Sequence, residues 1–187
     1  MKKLFYLFLL APVLSIVACG EAGVESDISK ITEISFTASA NQLNGATGQT
    51  NTESVNFAAE EFEEFVGDAK NFTLNELAFE ISDLDNPTSA TLSFDLRVDF
   101  TNSADANDGQ SLLSLQNAAI ANGNRIVLFD KNGGGAANAS VVQSLENAIL
   151  NGETVQIEIS ATKNGEPLTE DFVLTFFWDL TARVDLD

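Results

Sequence analysis

The sequence predicts a mainly β protein: an antiparallel β-sandwich of about seven strands, with two or three short inserted helices. Three observations carry this. In Thr91–Phe100, Leu92, Phe94, Leu96, Val98 and Phe100 alternate without a break against Thr91, Ser93, Asp95, Arg97 and Asp99. Successive side chains of a strand point to opposite faces, so this stretch has one greasy face and one wet face. Other segments alternate in the same way and are separated by Gly, Asn, Asp and Pro. Finally, apolar residues make up 44% of the chain, with 14 Phe against one Trp and one Tyr. Phe has no polar handle, so that bias favours a packed interior over an aromatic binding surface.

In chain order, Ile34–Ala40 alternates and predicts the first strand, and 41–52 reads as a polar loop with Gly45 and Gly48. Val55 and Phe57 suggest a short second strand. Residues 58–66 predict a helix with Phe62, Phe65 and Val66 on one face, stopped at Gly67. Glu60, Glu61, Glu63 and Glu64 crowd its first turns, where acids are favourable; a solvated face is the expected role and a partner-docking patch the alternative. Residues 73–82 predict a strand with Leu77, Phe79 and Ile81 inward. Residues 83–89 carry turn chemistry around Pro87, which predicts a hairpin between this strand and 91–100.

Beyond a loop at 101–110, Leu112, Leu115, Ala119 and Ile120 predict a helix over 111–121, and 125–129 a strand. Ser140 is placed to cap a helix with Val141, Val142, Leu145 and Ile149 inward, ended by Asn151-Gly152. The stretch from Leu115 to Gly123 echoes that from Leu145 to Gly152, which reads either as a reused helix–turn–strand unit or as chance. Residues 154–161 alternate again, and Asn164-Gly165 turns the chain into the last strand, 171–184. That strand is the greasiest and is expected to be central, with Phe177, which breaks its wet face, covered by a helix or loop. Trp178 falls at core spacing.

The first eighteen residues have a basic start at Lys2 and Lys3, an apolar run, and small residues before Cys19, which is the pattern of a secretory signal. Ile16-Val17-Ala18-Cys19 resembles the lipobox of bacterial lipoproteins. The resemblance implies cleavage before Cys19, a diacylglyceryl group on its sulfur and an acylated amine: a membrane attachment through lipid. In the enterobacterial version of that class, Asp after the Cys favours inner-membrane retention; Gly20 therefore implies the outer membrane of a Gram-negative envelope. The expected organisation is a signal peptide at 1–18, a lipidated Cys and acidic tether at 19–30, and a single sandwich domain at 31–187. A flexible tether of eleven residues would reach about 18 Å.

Charge bounds the partners. Nine Lys and Arg face 28 Asp and Glu; removing Lys2 and Lys3 with the leader leaves 7 − 28 = −21. Such a surface repels nucleic acid and bare anionic membrane. The chain has no His and its single Cys is Cys19, which removes Ser-His-Asp and Cys-His nucleophilic systems and every His or multi-Cys zinc site.

Three loops offer oxygen ligands of the kind calcium takes. Asp105-Ala-Asn107-Asp108-Gly109 is the best, with Asp105, Asn107 and Asp108 as the candidate metal ligands, although it lacks one spacer of the EF-hand pattern and has Leu at 115 where that pattern needs Glu. Asp130-Lys-Asn-Gly133 and Asp83-Leu-Asp85-Asn86 are the others, and an Asx turn is the ordinary reading of each. No organic cofactor and no catalytic residue is expected; paired carboxylates could serve a hydrolase, but no local motif selects a pair. The expected function is an envelope lipoprotein that displays a non-catalytic, acidic sandwich for protein interaction or a structural role, with an envelope protein or glycan as partner. A carbohydrate-binding module, calcium-supported or not, is the alternative, and exposure of Trp178 would favour it.

Overall fold

A computed structural model describes residues 24–65, 67–100, 109–135 and 137–186. Its strands are β1 (Val24–Ala38), β2 (Gln49–Val55), β3 (Ala69–Ser82), β4 (Thr91–Phe100), β5 (Gln110–Ala119), β6 (Ile126–Asp130), β7 (Gly134–Gly135), β8 (Val155–Asn164) and β9 (Phe172–Leu186). The helices are α1 (Ala40–Leu43), α2 (Phe57–Glu61) and α3 (Ala139–Leu150), and Glu63–Phe65 makes a 3-10 turn.

Two antiparallel sheets face each other. One is five-stranded, in the order β1-β9-β3-β6-β7, and the other four-stranded, β2-β8-β4-β5. The chain changes sheet at every connection except β4–β5 and β6–β7. With the two-residue β7 set aside, this order is the double Greek key of a jelly roll, so the expected β-sandwich is what the chain forms.

The alternation of β4 works as its period predicts, with Leu92, Phe94, Leu96, Val98 and Phe100 all buried. β9 is interior to its sheet, with β1 on one side and β3 on the other, and Phe172, Leu174, Phe176, Trp178, Leu180, Ala182 and Val184 all point into the core. The sheets are joined across that core by rings. Phe176 meets Phe94 at 5.5 Å, and Phe36 and Phe79 at 6.0 Å. Phe79 meets Phe94 edge-on at 5.3 Å.

Several expectations are corrected. Residues 111–121 are not a helix but β5. Its pairing with β4 slips twice, between Leu92 and Phe94 and between Leu96 and Arg97, and each slip inserts an extra residue on the β5 side. Two bulges in ten residues convert a period of two into spacing that imitates a helix. Asn117, with φ of 55°, sits at one of them and donates its backbone N–H to the Ser93 hydroxyl at 3.0 Å. The supposed echo between 115–123 and 145–152 therefore pairs a strand with a helix and marks no repeated unit.

β3 and β4 form no hairpin, because they belong to opposite sheets and the 83–90 segment crosses between them. It is fastened on both sides: Leu84 N–H donates to Asn122 Oδ1 at 3.0 Å, and Asn86 N–H donates to Glu170 at 2.6 Å. The expected helix at 58–66 is shorter, running from Phe57 to Glu61 behind an Asn56 cap and followed by the 3-10 turn; Val66 lies outside the described residues. Phe57 belongs to that helix and not to a strand, and β2 occupies 49–55, much of it from the expected loop. Asn138, not Ser140, caps α3: its Oδ1 accepts from the Ser140 N–H at 3.2 Å.

The first strand begins ten residues before the expected Ile34. Residues 24–30, read from composition as tether, pair in unbroken register with the end of β9, from Val24↔Leu186 to Lys30↔Leu180. The register defines two ends of the sandwich. Val24, Ala69, Phe100, Val155 and Leu186 lie at one; Ala38, Ser82, Thr91, Asn164 and Phe172 lie at the other. Hereafter these are the Val24 end and the Phe172 end.

Two substitutions test this packing. Phe94→Ala should lower stability by about 3–5 kcal/mol, the range for deleting a buried Phe ring. Gly48→Ala should lower it by about 1–3 kcal/mol, because Gly48 has φ of +70° and an added Cβ would lie 2.2 Å from the Ala161 carbonyl oxygen. Urea melts read both.

Candidate interaction face

The outer faces of the two sheets differ. That of the four-stranded sheet is hydroxylic and charged. Thr50, Ser160, Asp95 and Ser114 cross it in one register row, and Thr52, Glu158, Arg97 and Ser111 in the next. Asp95 is its hub: Oδ1 accepts from the Ser111 hydroxyl at 2.5 Å and the Ser114 hydroxyl at 2.7 Å, and Oδ2 accepts from Arg97 Nε at 2.7 Å. Partial burial pushes the Asp95 carboxyl upward, but these three donors and the Arg97 charge outweigh it and hold the group below its ordinary value of 3.8.

The outer face of the five-stranded sheet carries apolar groups. Glu33, Phe177, Ala78 and Val127 form one row across β1, β9, β3 and β6, with Ile31 diagonal to Phe177. Ile31 is 55% exposed and Val127 50%. Phe177 is half-buried, and a residue of the loop between β5 and β6 covers it, as expected: the Arg125 guanidinium lies 4.6 Å from its ring centroid while bonding Glu76 at 2.6 Å. Acids frame the stripe, with Glu33 and Asp179 beside it and Glu76 and Glu80 beyond.

Towards the Val24 end the same face dips into a polar trough of about 360 Å³, lined by Asp27, Ser29, Asn71, Thr73, Lys131 and Arg183 among others. Arg183 Nε bonds Asp27 at 3.0 Å and lies 3.6 Å from Glu25.

The free margin of this sheet is β1. Thr37 directs its carbonyl away from β9, where it accepts from Gln49 Nε2 at 2.6 Å and Asn51 Nδ2 at 3.3 Å. Ser39 N–H donates to Gln49 Oε1 at 2.6 Å, so one buried glutamine amide caps the margin as a strand would. In an antiparallel pair a residue's N–H and C=O point to the same side. With no slip in the β1–β9 register, the backbone groups of every odd-numbered residue of β1 therefore face outward from the sheet. The hydroxyl contacts Ser29–Thr181 at 2.7 Å and Ser35–Thr175 at 2.9 Å fit, since side chains approach most closely in the non-hydrogen-bonded pairs. Between 27 and 35 no bond to these odd-numbered groups occurs among the described residues.

The residues singled out from sequence fall as follows. Cys19 and the Asp105, Asn107, Asp108 set lie outside the described residues. Asp130 forms an Asx turn, Oδ1 accepting from the N–H groups of Asn132 at 2.7 Å and Gly133 at 3.1 Å. In the 83–86 segment Asn86 is committed to Glu170, by its N–H and by its side-chain amide at 3.3 Å. Among the described residues no three His, Cys, Asp or Glu side chains converge as metal ligands would. Trp178 is fully buried, 5.6 Å from Phe57, so it cannot stack on a sugar, and its indole N–H has no partner among the described residues. Of the acids near α2, Glu60 accepts from the Asn56 N–H at 3.1 Å and belongs to the helix cap. No helix among the described residues is long and apolar enough to cross a membrane. The stripe was half visible in sequence: Phe177 announces itself by breaking an alternation, whereas Ile31 and Val127 are ordinary strand residues until the register sets them beside it.

No family model and no curated protein matches the chain. Among solved structures, it aligns with chains from Desmodium yellow mottle tymovirus (14% identity, TM-score 0.39, covering 100% of this chain and 96% of that one). It also aligns with turnip yellow mosaic virus (12%, 0.41, 100% and 92%) and Macrobrachium rosenbergii nodavirus (10%, 0.41, 98% and 60%). Likenesses this distant carry no argument about what the chain does.

The Asp95 hub makes a pH prediction. A carboxyl held low in the fold adds stability that is present above its ordinary, unfolded value and is lost as pH falls through the lower folded value. Asp95→Asn should therefore flatten the loss of stability on acidification below about pH 4. Asp95→Ala should lower stability at pH 7 by about 1–2 kcal/mol, more than a solvated surface residue would. Thermal melts across pH 2–7 measure both.

Proposed function

We propose that the protein is a lipid-anchored component of a Gram-negative outer membrane, held by acyl chains on Cys19 and displaying a non-catalytic β-sandwich that engages other proteins. The observation that carries the anchor is the lipobox-like Ile16-Val17-Ala18-Cys19 in a chain whose only Cys is that one. Five steps separate Cys19 from Val24 of β1, at most about 18 Å of chain, so lipid on Cys19 would hold the sandwich close to the membrane surface. A single acyl chain holds a protein only marginally, and the resemblance implies three.

The non-catalytic reading draws on the interior and on the acids. The core is filled by Phe rings and aliphatic side chains. Several surface acids are tied to local partners: Asp95 to two hydroxyls and Arg97, Glu76 to Arg125, Asp27 to Arg183. Burial of Trp178 removes the aromatic platform that the carbohydrate-binding alternative needs, and protein interaction is favoured by the apolar stripe.

Cys19→Ser should leave a precursor without lipid label. Replacing residues 1–19 by a cleavable leader should give a soluble product. Metabolic labelling with a fatty acid, followed by membrane fractionation after a high-salt wash, tests both; a salt-resistant membrane pool of the Cys-free protein would overturn attachment through Cys19.

A further inference from the structure

We propose that the free margin of β1, from Asp27 to Ser35, accepts a β-strand of a basic partner protein, extending the five-stranded sheet. This rests on the reading of the molecule as a display domain for protein partners.

The margin has the required backbone. Asp27, Ser29, Ile31, Glu33 and Ser35 direct N–H and C=O groups away from β9, and none is bonded among the described residues. The sheet closes its own margin just beyond, where Gln49 satisfies Thr37 and Ser39. Unpaired strand edges are templates for another chain, and extended segments dock on them through main-chain bonds. The contrast between a capped and an uncapped half of one strand confines the site to 27–35.

The side chains of the same odd residues set the chemistry. Ile31, 55% exposed, stands at the middle of the margin beside Phe177, so an added strand would continue the apolar stripe. Glu33 and Asp179 lie next to it without an ion pair among the described residues, while Arg183 offsets Glu25 and Asp27 only in part. The chain as a whole carries −19. Basic side chains on the outer side of the incoming strand would meet these acids, and their aliphatic stems would cover Ile31. Lys30 points to the opposite side of β1 and stays exposed. It argues against a second copy of this chain as the occupant: two-fold pairing about Ile31 would set Lys30 diagonal to its symmetry mate and bring together two strongly acidic domains.

The test is hydrogen exchange on the full chain purified in detergent, with a capped ten-residue peptide of alternating Val and Lys as probe and its Val/Glu counterpart as control. Without peptide, the even-numbered amides of β1, bonded to β9, should exchange slowly and those at 27, 29, 31, 33 and 35 quickly. Saturating Val/Lys peptide should slow the odd-numbered set by at least about tenfold; the Val/Glu peptide should not. Ser29→Pro removes an N–H that β9 does not use, so the fold should survive while the protection is lost. Glu33→Lys should weaken the peptide without touching the backbone. Unchanged odd-numbered amides with the Val/Lys peptide, equal protection by both peptides, or protection without peptide that rises with protein concentration would each overturn the proposal, the last in favour of self-pairing. None of these readouts depends on lipid, so failure here and failure of the Cys19 anchor are separate results.

Discussion

Phe176 is where the two sheets hold each other. It projects from the interior strand of one sheet, meets Phe36 and Phe79 on the strands either side of β9, and reaches Phe94 on the opposite sheet. A jelly roll is assembled from contacts distant in sequence, so it needs a strand that can be gripped from both sides before loop-closure entropy is offset. β9 is that strand. Its inward row is apolar from Phe172 to Val184, and β1 and β3 pair along it over most of their length. Positions of the outer-face groups follow from it too, since Phe177, Asp179, Thr181 and Arg183 are the alternate residues of the same strand.

Much of this was legible. The periods of β4 and β9, the burial of Trp178 and the amphipathic α3 were all visible because each is a local pattern read on one element. What escaped was set by relations between elements. The β5 bulges exist only relative to β4, and without that partner Leu112, Leu115, Ala119 and Ile120 spell a helix. Turn chemistry at 83–89 correctly marks a reversal, yet whether the chain returns to the same sheet depends on Asn122 and Glu170, dozens of residues away. The polar stretch from Glu25 to Lys30 looks like tether because an edge strand with a wet outer face has little apolar content of its own; β9 supplies its order.

The two outer faces show how one acidic composition serves two surfaces. On the four-stranded sheet, the carboxylate of Asp95 is saturated by its own neighbours and organises them. On the five-stranded sheet, acids surround apolar groups that remain available, and Arg125, Arg183, Lys70 and Asn75 tie some of them down. Overall net charge is blind to this difference.

The full-length pairing of β1 with β9 also has a mechanical meaning. A protein held at Cys19 and gripped along β1 would carry tension from lipid to partner through a single strand, with the rest of the sandwich outside the path of the force. Any load that does reach the body runs parallel to β1 and strains its ladder to β9 in shear, all rungs together, instead of peeling them one at a time. The fifteen-residue length of that strand, more than the core beneath it, would then set how hard the molecule can be pulled before it gives way.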